Sequence, residues 1–383
     1  MVRPPRPSSA RGTETDAILR SLELCAQEHA GSWFPQLEAA KVRVRLVNRQ
    51  TRPRCFLYRV RLGDGRTAAD VVVKVRHAIP ELRKVDSSEG RRPVLTPERS
   101  LPVADSARRE FDGLRVLASV FGTGPPEQFG VLRALAWLPE HGAIVMDHVD
   151  EPTLHRALRR RPAADPPSSG SLPWSNAGAW LRRFHDAQPG LGLPASSASV
   201  EVVHDLDRAY AGALGPAAGD AALLAALGDA TRRVAATALA DPPPLATGHG
   251  DFTVRNVFAS ASGRVTVFDP LLLWRVPVYE DLARFTVGLR LAGSPPGAVR
   301  TSSRARYVDH CENAFLAGYF GAEPVPRETV LTFATLLLLD RWAGTVGKRD
   351  RRAGLHAGVR AARVGLARRS YRAEARRLLS LLS

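Results

Sequence analysis

Apolar residues recur along the chain at two periods, and the period changes near residue 150. Over 13–31, Ile18, Leu19, Leu22 and Leu24 fall on or near one face of a helix. KVRVRLV, 41–47, alternates valine or leucine with charge, as a half-buried strand does. After the turn NRQTRPR comes a second strand, CFLYRVRL, 55–62. GDGRT supplies a hairpin turn, and VVVKV, 71–75, makes a third strand. Turns this short join antiparallel neighbours. SARREFDGLRVLASVF, 106–121, reads as a helix capped by Ser106, with Phe111, Leu114, Ala118 and Phe121 as its apolar stripe. VLRALAWL and AIVMDHV are two more strands around the tight turn PEHG. Residues 77–104 show no period and read as an exposed insertion.

From 151 onward helices dominate. TLHRALRR is short; SNAGAWLRRFHDA follows, with Ser175 or Asn176 as its cap. Two longer helices end at DPPP, and 281–292, 304–320, 327–346 and 355–382 are helical again. Between these blocks lies HGDFTVRNVFASASGRVTVFDP, 249–270. NVFAS and RVTVFDP are strand-like and are separated by Ala261, Ser262 and Gly263, a hairpin composition. Folding about that turn brings Asn256 close to Asp269, with Asp251 in the approach loop. The pattern predicts one small acidic pocket. Oxygen ligands of this kind suit Mg²⁺, which takes one or two carboxylates plus substrate phosphates. The remaining carboxylate is placed to accept a proton from an attacking hydroxyl.

Length and composition narrow the classes. A chain of 383 residues can bury a sizeable core in two lobes, and 44% hydrophobic with 24% charged residues is ordinary for a globular protein. No apolar run reaches about 18 residues, so no spanning helix is expected. MVRPPRPSSARGT reads as a disordered basic tail over 1–12, not as a signal peptide. Cys25, Cys55 and Cys311 make neither a disulfide framework nor a metal spacing, which points to the cytoplasm. The formal charge of +16 is nearly all arginine, because only Lys41, Lys74, Lys84 and Lys348 are lysines. No zinc-finger spacing, RNP-like motif or aromatic-interleaved basic block accompanies it, which argues against nucleic acid as the partner.

HGDFTVRN with FDP at this spacing resembles the aminoglycoside phosphotransferase family, the small-molecule branch of the protein-kinase-like fold. The resemblance covers roughly 35–345 and is strongest over 246–285. It implies a bilobal α+β fold. An N-terminal lobe, 13–149, has an antiparallel five-stranded sheet with one helix; a larger helical C-terminal lobe, 150–383, carries the catalytic loop and acceptor site. It implies ATP and Mg²⁺ as cofactors, Asp251 as catalytic base, and Asn256 and Asp269 as metal ligands. His249 and Asp281, the latter in YEDLARF, support the site. A lysine on the third strand and a glutamate on the next helix hold the phosphates in such folds. Lys74 is so placed, and Glu110 is the expected partner, with Glu81, Glu89 and Glu98 of the insertion as alternatives. AIVMDHVDEPTL resembles the family's hinge, where Met146 lines the adenine pocket and backbone groups of Asp147 and Val149 meet the base. His185 in WLRRFHD is structural.

Two features depart from the pattern. NRQTRPR has no glycine where kinases carry a Gly-rich phosphate turn, so Arg49, Arg52 or Arg54 is left to contact phosphate by side chain. The insertion after Lys74 is long. Residues 301–383 hold 15 Lys and Arg against 7 Asp and Glu, which disfavours a polycationic acceptor and favours a sugar, glycan, natural product or anionic metabolite carrying the hydroxyl. The Arg-rich C-terminal helix is expected to pack by its Leu and Val side, with peripheral contact to an anionic membrane as the second reading. A catalytically silent relative that binds nucleotide or a partner as a regulator is the alternative function.

Overall fold

The computed structural model describes residues 9–52, 55–76, 103–122, 127–160, 170–187, 190–196, 199–214, 220–293, 302–346 and 357–383. In chain order the elements are α1 (Ser9–Trp33), β1 (Arg43–Thr51), β2 (Cys55–Gly63), β3 (Ala68–Arg76), α2 (Val103–Phe121), β4 (Phe129–Gly130), β5 (Ala134–Leu138) and β6 (Ala143–Asp147). Next come α3 (Leu154–Arg160), α4 (Leu172–Ala187), α5 (Val200–Leu214), α6 (Ala221–Ala238), β7 (Leu245–Thr247), β8 (Val257–Ala259), β9 (Val265–Val267) and β10 (Arg275–Pro277). The helices α7 (Val278–Gly293), α8 (Ser302–Phe320), α9 (Arg327–Val346) and α10 (Ala357–Leu382) complete the chain. Two units form, one from the described residues through Arg76 with 103–118 and 132–150, the other from 119–131 and everything after 150.

The first unit is built on an antiparallel sheet in the order β1-β2-β3-β6-β5. The five strands expected from the pattern are the five that pair. α1 lies in its hydrophobic core through Ile18, Leu22, Ala26, Ala30 and Trp33, which meet Tyr58, Val60, Val71, Val73 and Val145. The unit thus has two helices, not one, and α1 begins at Ser9, inside the expected tail; residues 1–8 lie outside the described residues. Leu24, expected on the α1 apolar face, is 70% exposed. It stands two positions from Leu22, about 200° round the helix, while the core stripe steps by four. β1 also differs from its expected half-buried form. Its register shifts between Leu46 and Asn48, and Leu46 and Val47 face solvent, as an interrupted edge strand allows.

α2 starts at Val103, so Ser106 is a buried position inside the helix and not its cap. Asp105 supplies the acidic residue in the first turn that suits the helix dipole. Residues 77–102 of the expected insertion, with Glu81, Glu89 and Glu98, lie outside the described residues.

The second unit is mainly helical. Val203, Leu206, Leu227, Phe333, Leu337 and Trp342 share one core with Ala375 and Leu378 of α10, so the C-terminal helix does pack by its apolar side. Arg372 on the same helix pairs with Asp220. Among the described residues no helix is long and apolar enough to cross a membrane. A second core is aromatic: Trp180 stacks on Phe121 at 4.4 Å, and Phe252, Phe285 and Phe315 continue the stack. α4 starts at Leu172, so Ser175 and Asn176 are interior positions. Buried Asn176 instead donates to Gly263 O at 2.9 Å and accepts from Gln128 at 3.0 Å, which latches the hairpin turn of β8 and β9 to α4.

α4 and α8 approach so closely that backbone meets backbone. A Cβ on Gly178 would lie 2.0 Å from Phe315 O, and one on Gly318 would lie 2.0 Å from Ser175 O. Alanine normally favours a helix over glycine by about 0.8–1 kcal/mol. Here the clash is with carbonyl groups that cannot step aside, and overpacking of this kind costs about 1–3 kcal/mol or more. Gly178→Ala and Gly318→Ala are each expected to lower the thermal midpoint, read by circular dichroism; an unchanged or raised midpoint would show that the helices can separate without cost.

Candidate active site

The stretch 248–256 is shaped by which side chains point inward. His249 and Phe252 are fully buried, and Asp251 between them is partly exposed. Gly250 has φ +83, a conformation open to glycine, and a Cβ there would sit 3.0 Å from Leu271. The turn is held from α7. Asp281 accepts the backbone N–H of His249 at 2.6 Å and of Gly250 at 3.2 Å. It lies in the first turn of a helix that starts directly after Pro277, where the dipole favours a carboxylate. Burial acts to raise the Asp281 carboxyl. The hydrogen bond and charge of His185, with His249 and Arg284 nearby, outweigh it and hold the group below its ordinary value. His185 is itself buried, bonded to Tyr319 at 2.8 Å and facing Asp281 at 3.5 Å.

The hairpin then brings the other residues in. β8 and β9 pair antiparallel with Val257 opposite Val267, and Phe268 donates to Asn256 O at 3.1 Å. Asp269, the next residue, turns the chain at φ 61, which Asp adopts more readily than most residues. Leu271 donates back to His249 O at 2.9 Å, closing the two loops on each other. The Asn256 side-chain amide donates to Asp251 Oδ2 at 2.8 Å and to its backbone carbonyl at 2.9 Å. Both donations come from Nδ2, so the amide oxygen is turned away from Asp251. Asn256 thus meets Asp251, Asp269 follows the residue that bonds Asn256, and Asp281 holds the backbone of the loop that carries Asp251. Asn256 and Asp269 offer oxygen donors that fit a hard divalent cation completed by water and phosphate oxygens. Among the described residues no group of three or more His, Cys, Asp and Glu forms a metal site of its own.

The first unit has its own buried charge cluster. Lys74 on β3 donates to Glu110 of α2 at 2.7 Å, and both are buried. Glu110 falls on the buried stripe of α2 with Ala107, Phe111, Leu114 and Leu117. Arg76, two positions along β3 and so on the same face, reaches the other Glu110 oxygen at 2.8 Å. The pattern of the sequence did not single out Arg76; its spacing from Lys74 was the available signal. Met146 is buried at the end of β6. Asp147 gives its N–H to Arg133 O and takes the Arg133 guanidinium at 2.9 Å, and Val149 is partly buried beyond the strand. The expected β1–β2 turn is shorter than NRQTRPR suggests, because β1 runs to Thr51 and Arg52 N bonds Cys55 O at 2.8 Å. Arg49 lies 4.6 Å over Phe56, Arg52 bonds Gln50, and Arg54 lies outside the described residues.

Residues 58–326 match the phosphotransferase enzyme family, APH. The chain belongs to this family. Its α+β fold is protein-kinase-like. It is similar to an amicoumacin kinase in complex with AMP-PNP, Ca²⁺ and Ami, with a TM-score of 0.50 and 11% identity over 88% of this chain and 89% of that one. It is also similar to an AMP-bound spectinomycin phosphotransferase, with a TM-score of 0.50 and 13% identity over 84% and 93%. At such identities the likeness is one of fold. No curated protein is a significant match to the chain.

Under the phosphotransferase loop two buried groups titrate in opposite senses. Burial holds His249 down to about 4, so it is neutral in the fold. Burial pushes Glu280 of α7 up to about 8, although Arg284 lies 3.9 Å away. For His249 the unfolded chain takes a proton first, so stability is lost as pH falls from about 6.5 to about 4. For Glu280 the folded chain keeps its proton longer, so stability is lost as pH rises from about 4.5 to about 8. The two oppose each other over the shared window, and between about 6.5 and 8 only Glu280 acts. The thermal midpoint is expected to fall across that upper range, and Glu280→Gln is expected to flatten the fall. Melts at constant ionic strength check it; equal slopes in both proteins count against a protonated Glu280.

Proposed function

We propose that the chain transfers the γ-phosphoryl group of ATP to a hydroxyl of a small molecule, with Mg²⁺. The observation that carries this reading is the hydrogen bond from Asn256 to Asp251 in a loop whose backbone N–H groups end on Asp281, with Asp269 directly after the strand that pairs beside Asn256. In this reading Asp251 takes the proton of the acceptor hydroxyl. The acceptor oxygen forms its bond to the γ-phosphorus, the bond from that phosphorus to the bridging β-phosphate oxygen breaks, and ADP leaves. The hydrogen bond from Asn256 fixes the rotation of the Asp251 carboxylate. Asn256 and Asp269 hold the metal, which neutralises phosphate charge when bound. Lys74, kept straight by Glu110, takes the phosphates as a point charge, and Met146, Asp147 and Val149 form the stretch that meets the base. The two similar structures carry AMP, or AMP-PNP with Ca²⁺, which makes an adenine nucleotide the donor to test first. The acceptor is read as a sugar, glycan or natural product, not a polycation.

The glycine-free β1–β2 turn favours a second reading, a catalytically silent regulator that binds nucleotide or a partner. One experiment separates the two. ATP consumption is followed with pooled hydroxyl acceptors, with and without Mg²⁺. General-base catalysis contributes about 10²–10⁴-fold, so Asp251→Asn should lower kcat by that order while nucleotide binding persists. Lys74→Met should chiefly raise KM for ATP. Tight nucleotide binding without Mg²⁺-dependent turnover in the wild type would replace the enzyme by the regulator.

A further inference from the structure

Arg341 stands on α9, and its guanidinium packs beside the Asp251 loop within the second unit. A Cβ placed on Gly288 of α7 would lie 3.4 and 3.8 Å from its two terminal nitrogens and 3.7 Å from Cβ of Thr253. Glycine at 288 thus leaves the space that the guanidinium and Thr253 share, and Thr253 is two residues from Asp251. Arg341 is only partly exposed. Its side chain makes one long hydrogen bond, to Arg284 O at 3.4 Å, and forms no ion pair with a carboxylate among the described residues. Of the charges that act on it, that of Asp251 is the largest, that of Arg284 opposes it, and those of Tyr371 and Asp340 come after. Burial holds it below the ordinary arginine value, the sign of a cation short of compensation.

A partly buried guanidinium with no carboxylate in ion-pair contact is costly unless an anion completes it. Its planar fork suits the paired oxygens of a carboxylate or phosphate. We infer that Arg341 receives an anionic group of the acceptor and so selects hydroxyl compounds that carry a negative charge, setting their hydroxyl at Asp251. The inference rests on the reading of Asp251 as the base. It agrees with the basic excess of 301–383, 15 Lys and Arg against 7 Asp and Glu. It makes Arg341 a specificity residue, which sequence pattern alone did not mark.

The test offers acceptors of one skeleton in three charge classes: gluconate and glucose 1-phosphate, glucose and sorbitol, glucosamine. Transfer from ATP is measured for the wild type, Arg341→Gln and Arg341→Lys, and gluconate binding is measured by calorimetry without ATP. The anionic class is expected to give the highest kcat/KM. Arg341→Gln should raise its KM by about tenfold or more, and Arg341→Lys should recover part of the loss. Neutral or amino acceptors used as well as anionic ones would overturn the inference while the phosphotransferase reading stands. So would Arg341→Gln weakening all three classes alike, which would make Arg341 a support for Asp251. Arg341-dependent gluconate binding with no transfer to any class would sustain the anion site and remove the kinase reading. Anionic compounds that neither bind nor react would overturn the anion site outright.

Discussion

One buried carboxylate, Asp281, sets the shape on which the candidate site depends. A charged group in the interior is costly, and it persists only where its oxygens are used. Two backbone N–H groups, of His249 and Gly250, point inward because Gly250 turns at positive φ, and both end on Asp281. Left without an acceptor, each buried donor would cost about 1–3 kcal/mol. The same contact forces the alternation that follows. His249 and Phe252 enter the aromatic core, and Asp251 is left at the surface of the loop. The Asp251 carboxylate is thus brought out by the burial of its neighbours.

The first unit also buries a carboxylate, and satisfies it with cations where the second uses backbone N–H groups. Glu110 is buried on α2 and is met by two cations of one strand face, Lys74 and Arg76. Breaking such a buried pair from one side typically costs about 3–5 kcal/mol, since the remaining charge stays in a poor solvent.

Much of this was legible in the chain before any coordinates. The Ala-Ser-Gly turn and the valines on either side of it define a hairpin register, and that register sets Asn256 opposite Phe268, the residue before Asp269. Lys74 stood out because lysine is scarce, and Glu110 because the resemblance expects a glutamate on the helix after the third strand. Other features left no periodic trace. β4 has two residues and pairs in parallel with β9 from far away in sequence, and β7 with β10 are three residues each. Strands so short hold less than a usable period. Ser106, Ser175 and Asn176 looked like helix caps because small polar residues usually sit at helix ends. Asn176 instead serves a tertiary partner, the carbonyl of Gly263, and nothing local in the sequence reports a bond across 87 residues. The alternation of KVRVRLV was read as burial, and an edge strand with a bulge breaks that inference.

The surplus of arginine raises a question that a count of charges cannot answer. Many arginines are tied to acids of the same unit: Arg61 to Asp70, Arg133 to Asp147, Arg182 to Glu323, Arg290 to Asp309 and Glu312, Arg372 to Asp220. The exposed pairs among these contribute about 0–1 kcal/mol each and say little about partners. What carries information is a cation whose surroundings hold it with no carboxylate in ion-pair contact. A solvated arginine has water for that purpose. Arg341, held against Gly288 and Thr253 with a single backbone carbonyl as acceptor, has much less of it. The chemistry of this chain is therefore better read from the few charges that lack a local answer than from the net +16.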